Sequence, residues 1–219
     1  MPTTAKRKAH LHRGFPGDLS QFAPAFVKGR LSGFAKDMGI CLASGFRKEV
    51  NNRKVSTHAY FPALMACCGM LEYLAGLYVG RMTRSGRGDV TVYASKYLPQ
   101  PDYSADVIRI LFDAFRNALA HRGIASGVWI DRHQATRGRR ITWKVFANAT
   151  HPSLDIRSSE GTLSIDPPWP CRYTHRVHIR LGRLWRDIRT SANSYAADLV
   201  TSQDLQTKFL ECMKELYPS

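Results

Sequence analysis

Residues 115–123 read Phe-Arg-Asn-Ala-Leu-Ala-His-Arg-Gly, and the predictions of fold and function depend on this stretch. It places an Arg, an amide and a His within two turns, at the end of an otherwise apolar helix. The side chains of Arg116, Asn117 and His121 suit one task, which is to grip a phosphate and to move a proton beside it. The flanking sequence indicates which kind of domain carries them.

The stretch closes an amphipathic helix that we predict from about Ser104 to His121 or Arg122. Gly123 supplies a left-handed stop just past its end. The apolar positions recur at helical spacing: Ile108, Leu111, Phe112, Phe115 and Leu119. The three polar residues therefore lie on a helix that buries its other side.

The angular positions of these residues limit how they can act together. On an ideal helix Asn117 and His121 share a face, because they are four residues apart. Arg116 and His121 lie about 140° apart and do not simply point at one target. They converge if the last turn loosens before Gly123, or if two copies of the helix meet across a dimer axis.

Each residue of the motif has a clear chemical role in cleaving RNA. The planar fork of Arg116 holds a phosphate and offsets the charge that develops in a transition state. His121 takes or gives a proton near neutral pH, and Asn117 positions the His or a substrate oxygen. This set suits attack of a 2′-hydroxyl on the adjacent RNA phosphate, a reaction that needs no metal.

The Arg-Asn-x-x-x-His helix resembles the signature of HEPN-domain proteins. These are compact helical domains, often homodimeric, and many are metal-independent ribonucleases of toxin–antitoxin and anti-phage systems. The resemblance covers Arg116, Asn117 and His121 and, more loosely, residues 55–123, where an apolar helix precedes the motif helix. It implies a HEPN-like helical bundle, a homodimer, an RNA substrate and no cofactor. A nucleotidyltransferase-type antitoxin is a further partner that the resemblance implies.

Two other functions remain open at this stage. HEPN proteins without nuclease activity exist, so the chain could equally be a catalytically inactive RNA- or protein-binding module. Alternatively, Arg116 pairs with Glu72 or Asp113 for structural reasons, and His121 only caps its helix.

Glu72 needs a partner in either case if it is buried, because an unpaired buried charge is costly. Arg116 or Arg109 would supply that partner, and Glu72 would then orient the Arg; the alternative is that Glu72 faces solvent.

The charge distribution indicates a polyanionic partner. The net charge is +15, and it is concentrated at 1–54, with 11 basic and 3 acidic residues, and at 122–189, with 13 and 5. Residues 55–121 are nearly neutral, with 6 basic and 5 acidic residues. Two basic blocks around an apolar centre favour nucleic acid as the partner, although solvated Arg-rich faces give the same pattern.

Two basic segments are the predicted contacts to RNA outside the motif. The loop 83–88 carries Arg84 and Arg87 between glycines, without the pattern of a P-loop. A predicted hairpin tip carries three further arginines: Arg137, Arg139 and Arg140. Trp129 and Trp143 flank this tip and either stack on single-stranded RNA or pack against a helix, which is the more common use of such residues.

Composition also bears on metals and membranes. The five cysteines include no CxxC pair, which argues against a zinc ribbon or a disulfide framework. His175 and His178 form an isolated HxxH without other ligands, so no metal is predicted. The run 59–79 is long enough to cross a bilayer, but Glu72 and several small residues favour the core helix of a soluble bundle. We expect a cytoplasmic protein with no membrane contact.

The predicted architecture is mainly α. Residues 1–25 read as a basic disordered arm, and 26–219 as a single HEPN-like helical domain. A small β insert spans about 127–166, with one hairpin around the basic tip and a second around Glu160-Gly161. Two C-terminal helices follow, one from Arg176 to Val200 and one capped by Ser202.

Overall fold

The structure is a computed structural model that describes residues 18–43, 46–50, 53–57, 59–122, 127–146, 150–165 and 169–218. Helix α1 (Leu19–Ala43) comes first, and it begins within the range 1–25 that the sequence assigns to a basic arm. Residues 1–17 and Gly123, the predicted helix stop, lie outside the described residues.

Helix α2 (Tyr60–Val79) is the centre of the fold. Half of its residues are buried, because the sequence is apolar on all sides and its small residues let neighbouring helices approach. It ends at Gly80, whose φ of 86° is left-handed and whose N–H donates to the Gly76 carbonyl at 2.9 Å. By length and composition α2 could cross a membrane, but 56% of its apolar window is buried inside the fold. Within the described residues α2 is therefore a core helix of the fold.

The next helices lead to the motif. Helix α3 spans Arg87–Tyr97. After a turn come α4 (Ala105–Ile110), a π-helical segment (Leu111–Arg116) and α5 (Asn117–Arg122), and these three form one continuous helix. Ser104 caps α4, since its Oγ accepts the N–H of Val107. The predicted motif helix and its start are confirmed, whereas the π-helical segment was not expected.

The strands form two sheets. Strands β1 (Phe46–Val50) and β2 (Arg53–Thr57) make an antiparallel hairpin that the sequence did not predict. Strands β3 (Trp129–Ile130), β4 (Arg140–Phe146), β5 (Leu154–Ile165) and β6 (Trp169–Arg180) form a mixed sheet in the order β3-β4-β6-β5. The β4–β6 pair is parallel, and the other two pairs are antiparallel.

The helices on the C-terminal side complete the core. Helix α6 (Leu181–Thr201) packs against α1 and α2 on one side and against β4 and β6 on the other. Helix α7 (Gln203–Leu216) packs against α1 and α2, and Ser202 caps it by accepting the N–H of Leu205. Two C-terminal helices and the Ser202 cap are therefore confirmed, although α6 begins at Leu181 rather than at Arg176.

The predicted HEPN-like helical bundle with a small β insert at about 127–166 is wrong. The sheet extends to Arg180 and contains a parallel pair, so the protein is a helical core with a four-stranded mixed sheet. The hairpin around Glu160-Gly161 does not exist, because β5 continues through it as one strand with an irregularity between Ser158 and Gly161. There the Tyr173 ring lies on Gly161, where an added Cβ would come within 2.5 Å of Tyr173 Oη.

Candidate functional site

The motif lies where the helix changes its winding. In the π-helical segment the N–H of Asn117 donates to the carbonyl of Phe112, five residues back. Such turns occur often at functional sites, because the extra residue shifts the side chains that follow. Arg116 is the last residue of this segment, and Asn117 is the first of α5.

The inner side of this helix fixes the position of the motif. Phe115, Ala118 and Leu119 are buried, and the Phe115 ring meets Trp143 of β4 edge-on, with 6.2 Å between centroids. Phe61 at the start of α2 contacts the same Trp143 ring at 5.5 Å. Trp143 is therefore packing rather than an exposed surface for stacking bases.

Arg116 is held from two sides. Its Nη2 donates to Glu72 Oε2 on α2 at 2.9 Å, and its Nη1 donates to Asn117 Oδ1 at 3.2 Å. The Arg116 and Glu72 side chains are 29% and 18% exposed, so the pair lies at the edge of the fold. The contact to Glu72 is the one expected from the sequence, whereas Asp113 pairs instead with Arg87 at 2.6 Å.

Asn117 and His121 are both exposed and lie one turn apart on α5. Because Asn117 Oδ1 accepts from Arg116, its amide nitrogen is left to donate along the same face. The structure thus joins Arg116 to Asn117 directly and His121 to Asn117 by helical spacing. The contact of Arg116 with Asn117 does not bring Arg116 to His121, so convergence of these two through a loosened last turn or across a dimer axis stays a prediction.

The neighbouring thiol on α2 plays no chemical part. Cys68 lies one turn before Glu72 and is fully buried. Burial, with a smaller contribution from the Glu72 carboxylate, raises the pKa of the Cys68 thiol to about 12. The thiolate is the nucleophilic form, so Cys68 is inert at neutral pH.

A cleft of about 520 Å³ adjoins the motif helix. Arg109 and Asp113, which precede the motif on the same continuous helix, contribute to its lining. Its lining combines basic groups with an indole ring: Arg87, Arg109, Asp113, Val128, Trp129, Ile130, Arg132 and His133. The sequence did not indicate Arg132 or His133 as candidates.

One side of the cleft rests on a buried charge network. Asp131 is fully buried and accepts from both Nη atoms of Arg109 at 2.9 Å and from Arg139 Nη2 at 2.7 Å. The His133 N–H and the Thr136 hydroxyl also donate to it. Burial alone would raise the pKa of Asp131, but these hydrogen bonds outweigh it and hold the pKa well below its usual range.

The predicted RNA-contacting arginines differ in their exposure and in their partners. Arg139 is fixed by Asp131 and Asp106, and Arg140 Nε donates to the carbonyl of Arg172 at 2.6 Å. Arg84 and Arg137 are exposed, and Arg87 is exposed and paired with Asp113. Arg139 is therefore part of the buried charge network, and contact of the exposed arginines with RNA stays a prediction.

No metal site emerges from the described residues. His175 and His178 are both on β6, and an odd spacing puts them on opposite faces of the strand. Within the described ranges no three His, Cys, Asp or Glu side chains group as ligands.

No protein-family model matches the chain, and no curated protein or solved structure is significantly similar to it.

Proposed function

We propose that this protein is a metal-independent endoribonuclease whose catalytic residues are Arg116, Asn117 and His121. The observation that carries the proposal is the chain of contacts from Glu72 through Arg116 to Asn117, beside the exposed His121. An Arg held at both ends keeps the orientation of its fork, and its other N–H groups are left for a phosphate. The net charge of +15 supports a polyanionic substrate.

In the proposed reaction Arg116 binds the non-bridging oxygens of the scissile phosphate. His121 removes the proton of the neighbouring 2′-hydroxyl, whose oxygen then forms a bond to phosphorus. The bond from phosphorus to the 5′-oxygen breaks, and water or the imidazolium of a second copy gives that oxygen a proton. The products are a 2′,3′-cyclic phosphate and a 5′-hydroxyl. Asn117 donates to the phosphate and keeps it aligned with His121.

The cleft gives the nucleotide next to the scissile phosphate a place to bind. Trp129 offers an indole ring, although Arg109 Cζ lies 5.7 Å from its centroid and covers part of it. Arg132 and His133 are exposed on the rim and would contact the backbone phosphates. We further propose that the protein works in the cytoplasm as a homodimer.

The direct test is to incubate the protein with total RNA in EDTA, beside the double variant Arg116→Ala/His121→Ala purified in the same way. We expect cleavage by the natural protein alone, with 2′,3′-cyclic or 3′-phosphate ends, because neither Arg nor His needs a metal. Equal cleavage by the two preparations would assign the activity to a contaminant. Cleavage by neither, with both proteins folded, would reject the ribonuclease proposal.

A second test addresses Glu72 as a positioning residue. Glu72→Gln keeps the size of the side chain but loses the charge that holds Arg116, so we expect the cleavage rate to fall roughly 10- to 100-fold. Glu72→Asp keeps the charge and should recover part of the rate. The pair is partly exposed, so the melting temperature should change little. A fall in stability without a change in rate would make the pair structural.

A catalytically inactive RNA-binding module is the second candidate. It is favoured by the Glu72–Arg116 ion pair itself, which already neutralises the Arg that would serve a phosphate. Such a module would bind RNA with an affinity that falls steeply with salt, and it would leave the RNA intact. The EDTA incubation therefore separates the two candidates.

A further inference from the structure

Among the described residues, strand β6 of the four-stranded sheet buries one face more deeply than the other. Side chains alternate along β6, so Val177 and Ile179 point into the core and are buried. Arg176, His178 and Arg180 occupy the alternate positions of the strand, although the Arg176 guanidinium reaches the ring of Tyr173, with 5.0 Å between Cζ and the ring centroid. Packing against the helices explains why Val177 and Ile179 are apolar, but it does not explain why the alternate positions are basic.

Strand register brings more cations to this side. Lys144 pairs with His178 and Phe146 pairs with Arg180 across the parallel β4–β6 ladder. On the other edge Arg157 of β5 pairs with Arg176. We call these six residues the basic sheet face: Lys144, Phe146, Arg157, Arg176, His178 and Arg180.

The positive charge of the basic sheet face is mostly uncompensated. Asp155 pairs with Arg157, whereas Arg176 donates to the Tyr173 hydroxyl and Arg180 to the Pro152 carbonyl at 2.5 Å. Within the described ranges no acid forms an ion pair with Lys144, Arg176 or Arg180. Phosphates of a polyanion would supply the missing negative charge.

Aromatic rings lie between these cations. The rings of Phe146 and His178 meet edge-on at 5.5 Å, and both are partly exposed. Lys144 Nζ and Arg180 Cζ lie 5.2 and 5.9 Å from the centroid of Phe146. Cations around a partly open ring are the combination that holds a base by stacking and its phosphates by charge.

The pKa of His178 reflects the positive charge around it. Burial lowers its pKa, and the guanidinium groups of Arg157, Arg180 and Arg176 lower it further against the opposing effect of Asp155. The imidazole is therefore neutral at pH 7 and serves as a ring and a hydrogen-bonding group rather than as another cation.

We propose that the basic sheet face binds single-stranded RNA. Arg176, His178 and Arg180 recur at every second residue, or about 6.6 Å along the strand, and so follow an extended backbone of nucleotides. Phe146 stacks on a base, and Lys144 and the arginines contact phosphates. The inference rests on RNA as the proposed substrate but not on cleavage, and it identifies a binding surface that is separate from the motif helix.

The test measures binding of a fluorescent single-stranded 20-nucleotide RNA in EDTA, in a His121→Ala background that prevents cleavage. Lys144→Glu/Arg157→Glu reverses two exposed charges on the face. Lys28→Glu/Lys36→Glu makes the same change of net charge on α1, where both lysines are exposed. Phe146→Leu removes the ring and keeps an apolar side chain.

We expect the sheet-face double variant to bind at least 10-fold more weakly than the α1 control. The slope of log affinity against log salt should be shallower by about 1.4, for two lost phosphate contacts. Phe146→Leu should weaken binding about 10-fold with little change in slope, since it removes stacking and not charge. Circular dichroism shows that each variant is folded before its affinity is compared.

Three results would overturn this inference. Equal losses in the two double variants would mean that only overall charge matters. Equal affinity for duplex RNA, with Phe146→Leu unchanged, would mean that no base is stacked. Binding of vesicles of anionic lipid in preference to RNA would assign the face to a membrane. Absence of cleavage by the natural protein would reject only the ribonuclease proposal, because this test measures binding without it.

Discussion

Replacing His121 with Ala is expected to lower the rate of RNA cleavage in EDTA by 10²- to 10⁴-fold, which is the usual contribution of a general acid or base. The residue is exposed at the end of α5, and Phe115, Ala118 and Leu119 hold the inner side of the helix. The melting temperature should therefore stay within about 2 °C of the natural value, since exposed substitutions change stability by less than about 0.5 kcal/mol.

The control for this substitution is His151→Ala, which removes another exposed histidine that lies outside the motif. Cleavage by the His151 variant should equal that of the natural protein. If His121→Ala cleaves at the natural rate, His121 is not the acid or base. If instead it melts well below the control, the residue serves the helix and not the chemistry.

The sequence predicts the motif helix and part of its contacts. The apolar spacing and the capping Ser104 predict its start. The lone acid on α2 predicts that Glu72 pairs with Arg116 or Arg109 if it is buried, and in the structure the partner is Arg116. The π-helical segment could not be predicted, because nothing in residue propensity distinguishes a carbonyl five residues back from one four residues back. The contact of Arg116 with Asn117 follows from side-chain orientation, which spacing does not determine.

The sheet was the main failure of prediction, and its cause is specific. Ile179 continues the helical spacing of Leu184, Trp185 and Ile188, so this pattern predicts a helix where the structure has the end of β6. The alternation of Val177 and Ile179 with Arg176, His178 and Arg180 is an equally regular strand pattern. Parallel pairing of β4 with β6 joins residues 34 positions apart, for example Ile141 and His175. No local signal encodes such a pairing.

A second large effect is expected on substitution of Asp131. The sequence does not indicate this residue, because it lies in an Arg-rich segment typical of a solvent-exposed loop. Asp131→Asn removes the charge that Arg109 and Arg139 share. We expect a loss of about 3 kcal/mol in the free energy of unfolding, since removing one partner of a buried pair leaves the other uncompensated. For a chain of this size the melting temperature should fall by roughly 10 °C.

The pH dependence of this loss separates the charge of Asp131 from its packing. The folded state holds the pKa of Asp131 below that of the unfolded chain, so the charge stabilises the fold fully above about pH 5 and progressively less as the pH falls below it. The difference in unfolding free energy between the natural protein and Asp131→Asn should thus stay constant from pH 8 to about pH 5 and shrink in more acidic buffer. Urea titrations at each pH measure it, with Asp204→Asn as the control, whose exposed i,i+4 pair with Lys208 is worth less than about 0.5 kcal/mol. A difference in unfolding free energy that does not change with pH would assign the effect to the geometry of the Asp131 site. No difference at any pH would mean that the charge network does not stabilise the cleft.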